Sequence, residues 1–273
     1  MILEIDHVLV AARDPDGAAA DLSASLGLVA AGGGVHEAIG TRNALLSLGG
    51  PYLELIGLLD SAPETRARAL RHPIGSAVAR ALDDLAAADL ARDGDAADAA
   101  TGPARYAYVT VALRSDDAAG EVARLAARGL ATGVMPREVV RRRPDGTAIR
   151  WPVAFPARLG PDEAPFLIEH APGEPERAAR LAAGGPRLHG LDLRVADPAA
   201  TAGRWAAAWG LVTAGPPAPG SSGETTFSLS VGPHEVVLAG SRRGAPAAIV
   251  RLVDPPGGGP RVVDRGGVLI AVG

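Results

Sequence analysis

The sequence predicts an α+β protein built from repeated strand–helix–three-strand (βαβββ) units, on three observations. Residues 2–57 read in the order strand, helix, strand, strand, strand. A second strand followed by a helix begins at residue 106. A third copy repeats parts of the first without a gap: Asp14-Pro15 recurs as Asp197-Pro198 and Gly27-Leu28-Val29 as Gly210-Leu211-Val212, both 183 positions on. Self-similarity at a fixed offset marks repeated structural units.

In the first unit, residues 2–10 are an apolar strand carrying Asp6 and His7. Asp14-Pro15-Asp16-Gly17 is turn chemistry and a helix start. The helix over 16–26 places Leu22 and Leu26 one turn apart, and Gly27 suits its left-handed end. Residues 28–32 form a short strand, Gly32-Gly33-Gly34 a flexible link, and 35–47 a strand interrupted at Gly40-Thr41-Arg42-Asn43. After the Gly49-Gly50-Pro51 turn, Tyr52 to Gly57 is an apolar strand with Glu54 in its middle.

The Ala-, Arg- and Leu-rich stretch from Glu64 to Leu90 predicts an inserted helix, divided at His72-Pro73, and 91–104 a surface loop. Then come a strand at 106–113, a helix over 116–130 capped by Asp116 or Ser115, and a hairpin of 133–142 and 147–155 about Arg143-Pro144-Asp145-Gly146. A short strand at 165–170 ends in Glu169-His170. The Pro- and Gly-rich stretch 171–186 reads as a bridge. The expected division is therefore 1–171, made of two units (1–58 and 106–171) with a helical insert at 60–104, followed by a third, worn unit at 187–273. That last unit has Trp205 and Trp209 one turn apart on a helix and strand-like runs at 233–240, 247–253 and 267–272, the last two resembling half of a fourth unit.

Composition narrows the function. Of 273 residues, 47% are apolar and 21% charged, enough to bury a sizeable core; only 3% are aromatic, so Ala, Val, Leu and Ile must build it. All 27 basic residues are Arg, and the net charge of −4 argues against a nucleic-acid surface. Without cysteine there is no disulfide, thiolate catalysis or zinc–thiolate site. No basic-then-apolar leader and no apolar run of about 18 residues appear, so the expectation is a soluble cytoplasmic protein with no membrane partner. Phosphate loops, a Gly-x-Ser-x-Gly elbow, His-Glu-x-x-His and calcium loops are absent.

His7 and Glu54 are polar outliers in apolar strands. A buried carboxylate is costly unless paired or metal-bound, and burial would raise its pKa towards that of a general base. The two are expected to face one cavity; the bland alternatives are backbone bonding for His7 and an ion pair of Glu54 with Arg42 or Arg150.

Taken in order, Ile5-Asp6-His7-Val8, His36, Gly40-Thr41-Arg42-Asn43-Ala44-Leu45, Tyr52-Leu53-Glu54-Leu55-Ile56, Arg150-Trp151 and Pro165-Phe166-Leu167-Ile168-Glu169 resemble the glyoxalase-like domain of the vicinal oxygen chelate superfamily, over roughly residues 1–171. That superfamily includes glyoxalase I, extradiol dioxygenases, epimerases and bleomycin-resistance proteins. The resemblance implies paired units whose mixed or antiparallel sheets curl around a cleft. It also implies one divalent metal (Zn, Fe, Mn or Ni) held by His7, Glu54 and Glu169, with Glu54 or Glu169 moving a proton. His36, Arg42, Asn43 and Trp151 would line the substrate.

Neighbours on a strand face opposite ways, so only one of Glu169 and His170 points inward. The strand at 106–111 lacks the ligand that the metalloenzyme pattern wants. Glu235 could echo Glu54, but Gly190 stands where His7 aligns and His189 falls on the opposite side, so the third unit reads as structural. Three functions stay open. One is a metal-dependent lyase, isomerase or dioxygenase of a small oxygenated substrate. The second is a metal-free, drug-sequestering binder of a small-molecule ligand in the same cleft, and the third an assembly module. Covering the sheet faces by pairing would also suit a homodimer.

Overall fold

The structure, a computed structural model, describes residues 2–93, 106–129, 135–156, 158–170, 175–211, 213, 218–219, 225–241, 247–254, 259–265 and 267–273. Most of the expected surface loop at 91–104 therefore lies outside the described residues; the helix before it runs on to Asp93.

Eight strands close into a barrel in the order β1-β4-β3-β2-β6-β7-β8-β5. The first unit supplies β1 (Ile2–Ala12), α1 (Pro15–Leu26), β2 (Ala30–His36), β3 (Thr41–Ser47) and β4 (Tyr52–Leu58). Helices α2 (Pro63–Ala69) and α3 (Pro73–Asp93) follow. The second unit supplies β5 (Tyr106–Ser115), α4 (Ala118–Ala127), β6 (Met135–Arg142), β7 (Ala148–Phe155) and β8 (Phe166–Glu169). Parallel pairs β1–β4 and β5–β8 are joined by an antiparallel β1–β5 seam.

Four expectations shift. The single strand over 35–47 is a hairpin, β2 and β3, turning at Gly40 with φ 73° and the bond from Gly40 N to His36 O at 2.8 Å. Gly32-Gly33-Gly34 is not a link but part of β2. The barrel closes there through Val35 opposite Arg142, and a Cβ on Gly34 would lie 2.2 Å from the Arg142 carbonyl oxygen, so the seam needs a glycine. The bridge at 171–186 contains a helix, α5 (Pro175–Ala182), started by a proline at its first position. The cap of α4 is Asp117, which accepts from Gly120 N at 2.7 Å.

The remaining chain forms β9 (Arg187–Val195), α6 (Pro198–Trp209) and β10 (Ala218–Pro219) to β15 (Val268–Val272), with β11 (Thr225–Val231), β12 (His234–Gly240), β13 (Ala248–Val253) and β14 (Arg261–Asp264) between. These make an open seven-stranded sheet in the order β10-β11-β12-β9-β13-β15-β14. That order repeats the barrel's β2-β3-β4-β1-β5-β8-β7, with neither a counterpart of β6 nor a helix after β13 among the described residues. Pairing also resolves the register. His7 opposite Tyr52 in the barrel becomes Gly190 opposite Glu235 in the open sheet, each member 183 positions on. Glu235 thus echoes Tyr52; the counterpart of Glu54 is Val237.

Two cores result. One lies outside the barrel and joins it to α1 and to the open sheet, with Leu22, Leu26, Trp205 and Trp209 fully buried. Trp209 Nε1 donates to Pro165 O at 2.5 Å, tying α6 to the second unit. The other fills the barrel: Leu9, Ala11, Ile56, Val109 and Val153 meet Ile74, Ala77 and Val78 of α3, which plugs the mouth at the C-terminal end of β1. Helix α5 lies at the opposite mouth, where Arg177 pairs with Glu4 at 2.7 Å and Arg180 Nε donates to Gly50 O at 2.7 Å. Among the described residues no helix is long and apolar enough to cross a membrane.

Candidate functional site

His7 and Glu54 converge inside the barrel, His7 Nε2 lying 3.1 Å from Glu54 Oε2. The parallel β1–β4 register brings this about. Glu54 sits opposite Leu9, two places from the Tyr52–His7 pair, and so shares His7's inward face. Asn43 reaches the same face from β3 and donates from Nδ2 to Glu54 Oε1 at 2.6 Å, which fixes the carboxylate plane. Tyr52 stacks on the His7 ring at 4.6 Å and 22°.

Asp6 joins from a position that strand alternation would send outward. Between Ile5 (opposite Leu113) and His7 (opposite Ala112), β1 carries one residue more than β5, a bulge. The extra residue turns Asp6 to the side of its neighbour, where its Oδ1 lies 2.7 Å from His7 Nδ1 and its Oδ2 2.9 Å from His170 Nε2. Asp6 is 1% exposed. Burial alone would raise its pKa, but His170 and His7 together hold it well below the usual carboxylate range. The result is a buried chain of groups, Glu54–His7–Asp6–His170. In it Asp6 accepts from His7 Nδ1, which turns Nε2 of the ring towards Glu54.

The rest of the lumen is lined by His36, Trp151, Arg141 and Phe166, among others, around a cavity of about 30 Å³, the space of about one water. His36 Nδ1 contacts Thr41 Oγ1 at 3.1 Å; burial lowers its pKa to about 4, with Arg141 and His7 adding and Glu54 opposing. Tyr52 is pushed well above its ordinary pKa, first by burial and then by Asp6 and Glu54, so its hydroxyl stays protonated. Arg141 lies over the Trp151 ring at 5.0 Å and contacts Glu176 of α5 at 2.9 Å. Three buried polar atoms of the lining lack a hydrogen-bond partner: His7 Nε2, whose contact with Glu54 is close but poorly directed, Asn43 Oδ1 and Arg141 Nε. Such atoms are rare in native proteins and call for an explanation.

Of the site residues expected from sequence, the barrel brings together His7, Glu54, His36, Asn43 and Trp151. It does not bring Arg42, which faces outward from β3 and pairs with Asp16 at 2.5 Å and Asp14 at 3.3 Å near the start of α1. Arg150 is also outside, paired with Glu138 at 2.7 Å, so neither arginine is the counterion of Glu54. Glu169 accepts from Ala118 N at 2.9 Å at the start of α4, and of the adjacent pair it is His170 that turns into the buried network. Sequence reasoning missed Asp6, Tyr52 and Arg141. Asp6 carried a visible signal, a charge in an apolar strand next to His7, but period-two alternation alone would put it on the side opposite His7.

This donor set does not fit the implied divalent metal. A centre built from both units needs ligands on β5 and β8, but the inward positions there are Val109, Thr110, Ala112, Phe166 and Ile168, none of them His, Asp or Glu, and Glu169 points away. Among the described residues no three His, Asp or Glu side chains are arranged to hold a metal ion.

A family model described as "Glyoxalase-like domain" matches residues 5–209. No curated protein matches the chain. Among solved structures, a hypothetical protein from Staphylococcus aureus is similar with TM-score 0.72 and 13% identity, covering 100% of this chain and 99% of that one. A 4-hydroxymandelate synthase mutant from Streptomyces coelicolor is similar with TM-score 0.53 and 14% identity, covering 93% of this chain and 71% of that one. Methylmalonyl-CoA epimerase from Mycobacterium tuberculosis reaches TM-score 0.35 at 21% identity, over 67% and 93% of the two chains. At these identities the likeness to the first two is one of fold.

Proposed function

Since the chain belongs to the glyoxalase-like domain family, we propose that the barrel is a reaction chamber in which His7 and Glu54 move a proton on a small oxygenated molecule, in isomerase- or lyase-type chemistry. The observation that carries this reading is the buried 3.1 Å contact of His7 with Glu54, oriented from behind by Asp6 and Asn43. A buried imidazole fixed by Asp6 and a buried carboxylate fixed by Asn43, side by side in a water-poor lumen, form a proton-transfer pair. His7 Nε2 takes a proton from a carbon next to a carbonyl or from a hydroxyl. The proton then passes to Glu54 Oε2 or back to the substrate. Of the polar atoms left to meet a substrate, Asn43 Oδ1 accepts from a hydroxyl and Arg141 Nε donates to an oxygen. The plug α3 and the apolar second half, Val109, Phe166 and Ile168, keep water out.

The test is proton exchange into small hydroxyketones and oxo acids in deuterated water, followed by NMR. The wild type is expected to exchange the proton next to the carbonyl, and His7→Gln and Glu54→Gln to lose at least about 100-fold of that rate, the usual share of one acid–base group. Equal exchange by all three proteins would refute the reading. The apolar second half also favours a sequestering binder, which would bind the same compounds without exchange.

A further inference from the structure

Arg141 is 3% exposed and reaches into the lumen from β6. A buried guanidinium needs a partner, and the one it has is not part of the barrel: Glu176, on the short helix α5, with its two oxygens 2.9 and 3.1 Å from Arg141 Nη2. Arg143 contacts the same carboxylate. Glu176 therefore uses one nitrogen of Arg141, while Nε beside it is buried without a hydrogen-bond partner. The Nε–Nη2 edge of a guanidinium matches both oxygens of a carboxylate. That edge is half used.

Helix α5 is attached in a way that suits release. Its one buried residue is Arg180, which lies 4.7 Å over the Tyr52 ring. The other ties are polar: Arg180 Nε to Gly50 O, Ser47 Oγ to Arg180 O, and Arg177 to Glu4. Groups held by hydrogen bonds and ion pairs can exchange them for water at small cost, unlike the apolar plug α3 at the other mouth. A groove of about 620 Å³ runs along α5, lined by Gly32, Gly33, Arg143, Glu176 and Arg180. The latch thus stands between an open groove and a lumen that has room for about one water.

We infer that Glu176 holds the place of a substrate carboxylate: the molecule that enters this barrel is a small carboxylic acid, whose carboxylate takes Arg141 from Glu176 and frees α5 as it binds. The inference rests on the reaction-chamber reading and adds the substrate class and the route of entry. The incoming carboxylate occupies the Nε–Nη2 edge and brings the carbon beside it towards His7, where a neighbouring hydroxyl can donate to Asn43 Oδ1.

The experiment compares pyruvate with hydroxyacetone, which has the same three carbons but no charge, by calorimetric titration of the full chain. Pyruvate is expected to bind and hydroxyacetone to bind at least about tenfold more weakly. Glu176→Gln removes the internal competitor and should tighten pyruvate by about tenfold, because affinity falls with the fraction of binding-competent protein. Arg141→Met should abolish pyruvate binding, and hydroxyacetone should respond to neither change. Amide exchange in α5 of the wild type should speed up on adding pyruvate, a readout that a merely structural Glu176 would not give. If hydroxyacetone binds as well as pyruvate, in a His7-dependent way, or if Glu176→Gln leaves pyruvate affinity unchanged or weaker, the inference falls and the chamber reading stands. If neither compound binds, this inference falls, and the exchange assay decides the chamber reading separately.

Discussion

Replacing Asp6 with asparagine keeps the shape of the side chain and removes its charge. Asp6 accepts from His7 at 2.7 Å and lies 2.9 Å from His170, both contacts fully buried. Asparagine has one acceptor oxygen, so it can accept from one imidazole only, and its amide must face the other. One charge-assisted hydrogen bond is worth about 1.5–3 kcal/mol, and removing one partner from a buried charged group costs about 3–5 kcal/mol. The expected loss is therefore about 3 kcal/mol, near the point where the two ranges meet. At about 2–4 °C per kcal/mol for a chain of this size, the melting temperature should fall by about 6–12 °C. Denaturant unfolding at pH 7 measures it, with Asp16→Asn as control, since Asp16 is a surface partner of Arg42 and should change stability by less than about 1 kcal/mol. A loss below about 1 kcal/mol for Asp6→Asn would mean that the bulge does not hold an ionised carboxylate between two imidazoles.

Three further outcomes are expected. His36 has its pKa lowered to about 4 from 6.5; the unfolded chain therefore takes up the proton first, and the stability from this group is complete above pH 6.5 and lost as pH falls towards 4. At about 1.4 kcal/mol per unit this amounts to about 3 kcal/mol, and a stability–pH profile that His36→Gln fails to flatten over that window would contradict it. Gly190→Ala places a Cβ 2.4 Å from Glu235 O and 2.7 Å from Arg251 Nη2, so it should cost about 1–3 kcal/mol in the open sheet, whereas Gly203→Ala, exposed on α6 with nothing within 4 Å, should gain about 0.5–1 kcal/mol; equilibrium unfolding of both variants checks the contrast. Trp209→Ala leaves a cavity between α6 and the barrel and removes the bond to Pro165 O, for an expected loss of about 3–5 kcal/mol by the same measurement.

Much of the fold was legible in the sequence because its signals are local. Periodicity and turn residues mark the strands and helices of each βαβββ unit, and the constant offset between Asp14-Pro15 and Asp197-Pro198 marks the repeat. His7 and Glu54 stood out for the same reason: a charge or imidazole in an apolar strand is visible without neighbours. Local signals misled where composition imitated another state. The glycines at 32–34 looked like a link but serve a close seam between strands, and the proline-rich stretch at 171–186 looked like a bridge but starts α5.

What the sequence by itself determined is the set of units and the two polar residues that their inner faces must absorb, since the apolar spacing allows few other arrangements. Tertiary structure alone decided which groups surround them. A one-residue bulge in β1 turned Asp6 inward, because pairing with β5 has to skip a residue there. Barrel closure brought Arg141, distant in sequence, into the lumen, and the helices α3 and α5 sealed the two mouths by unlike means, one apolar and one ionic. Each of these depends on contacts between segments far apart in the chain, and no window of sequence contains both partners.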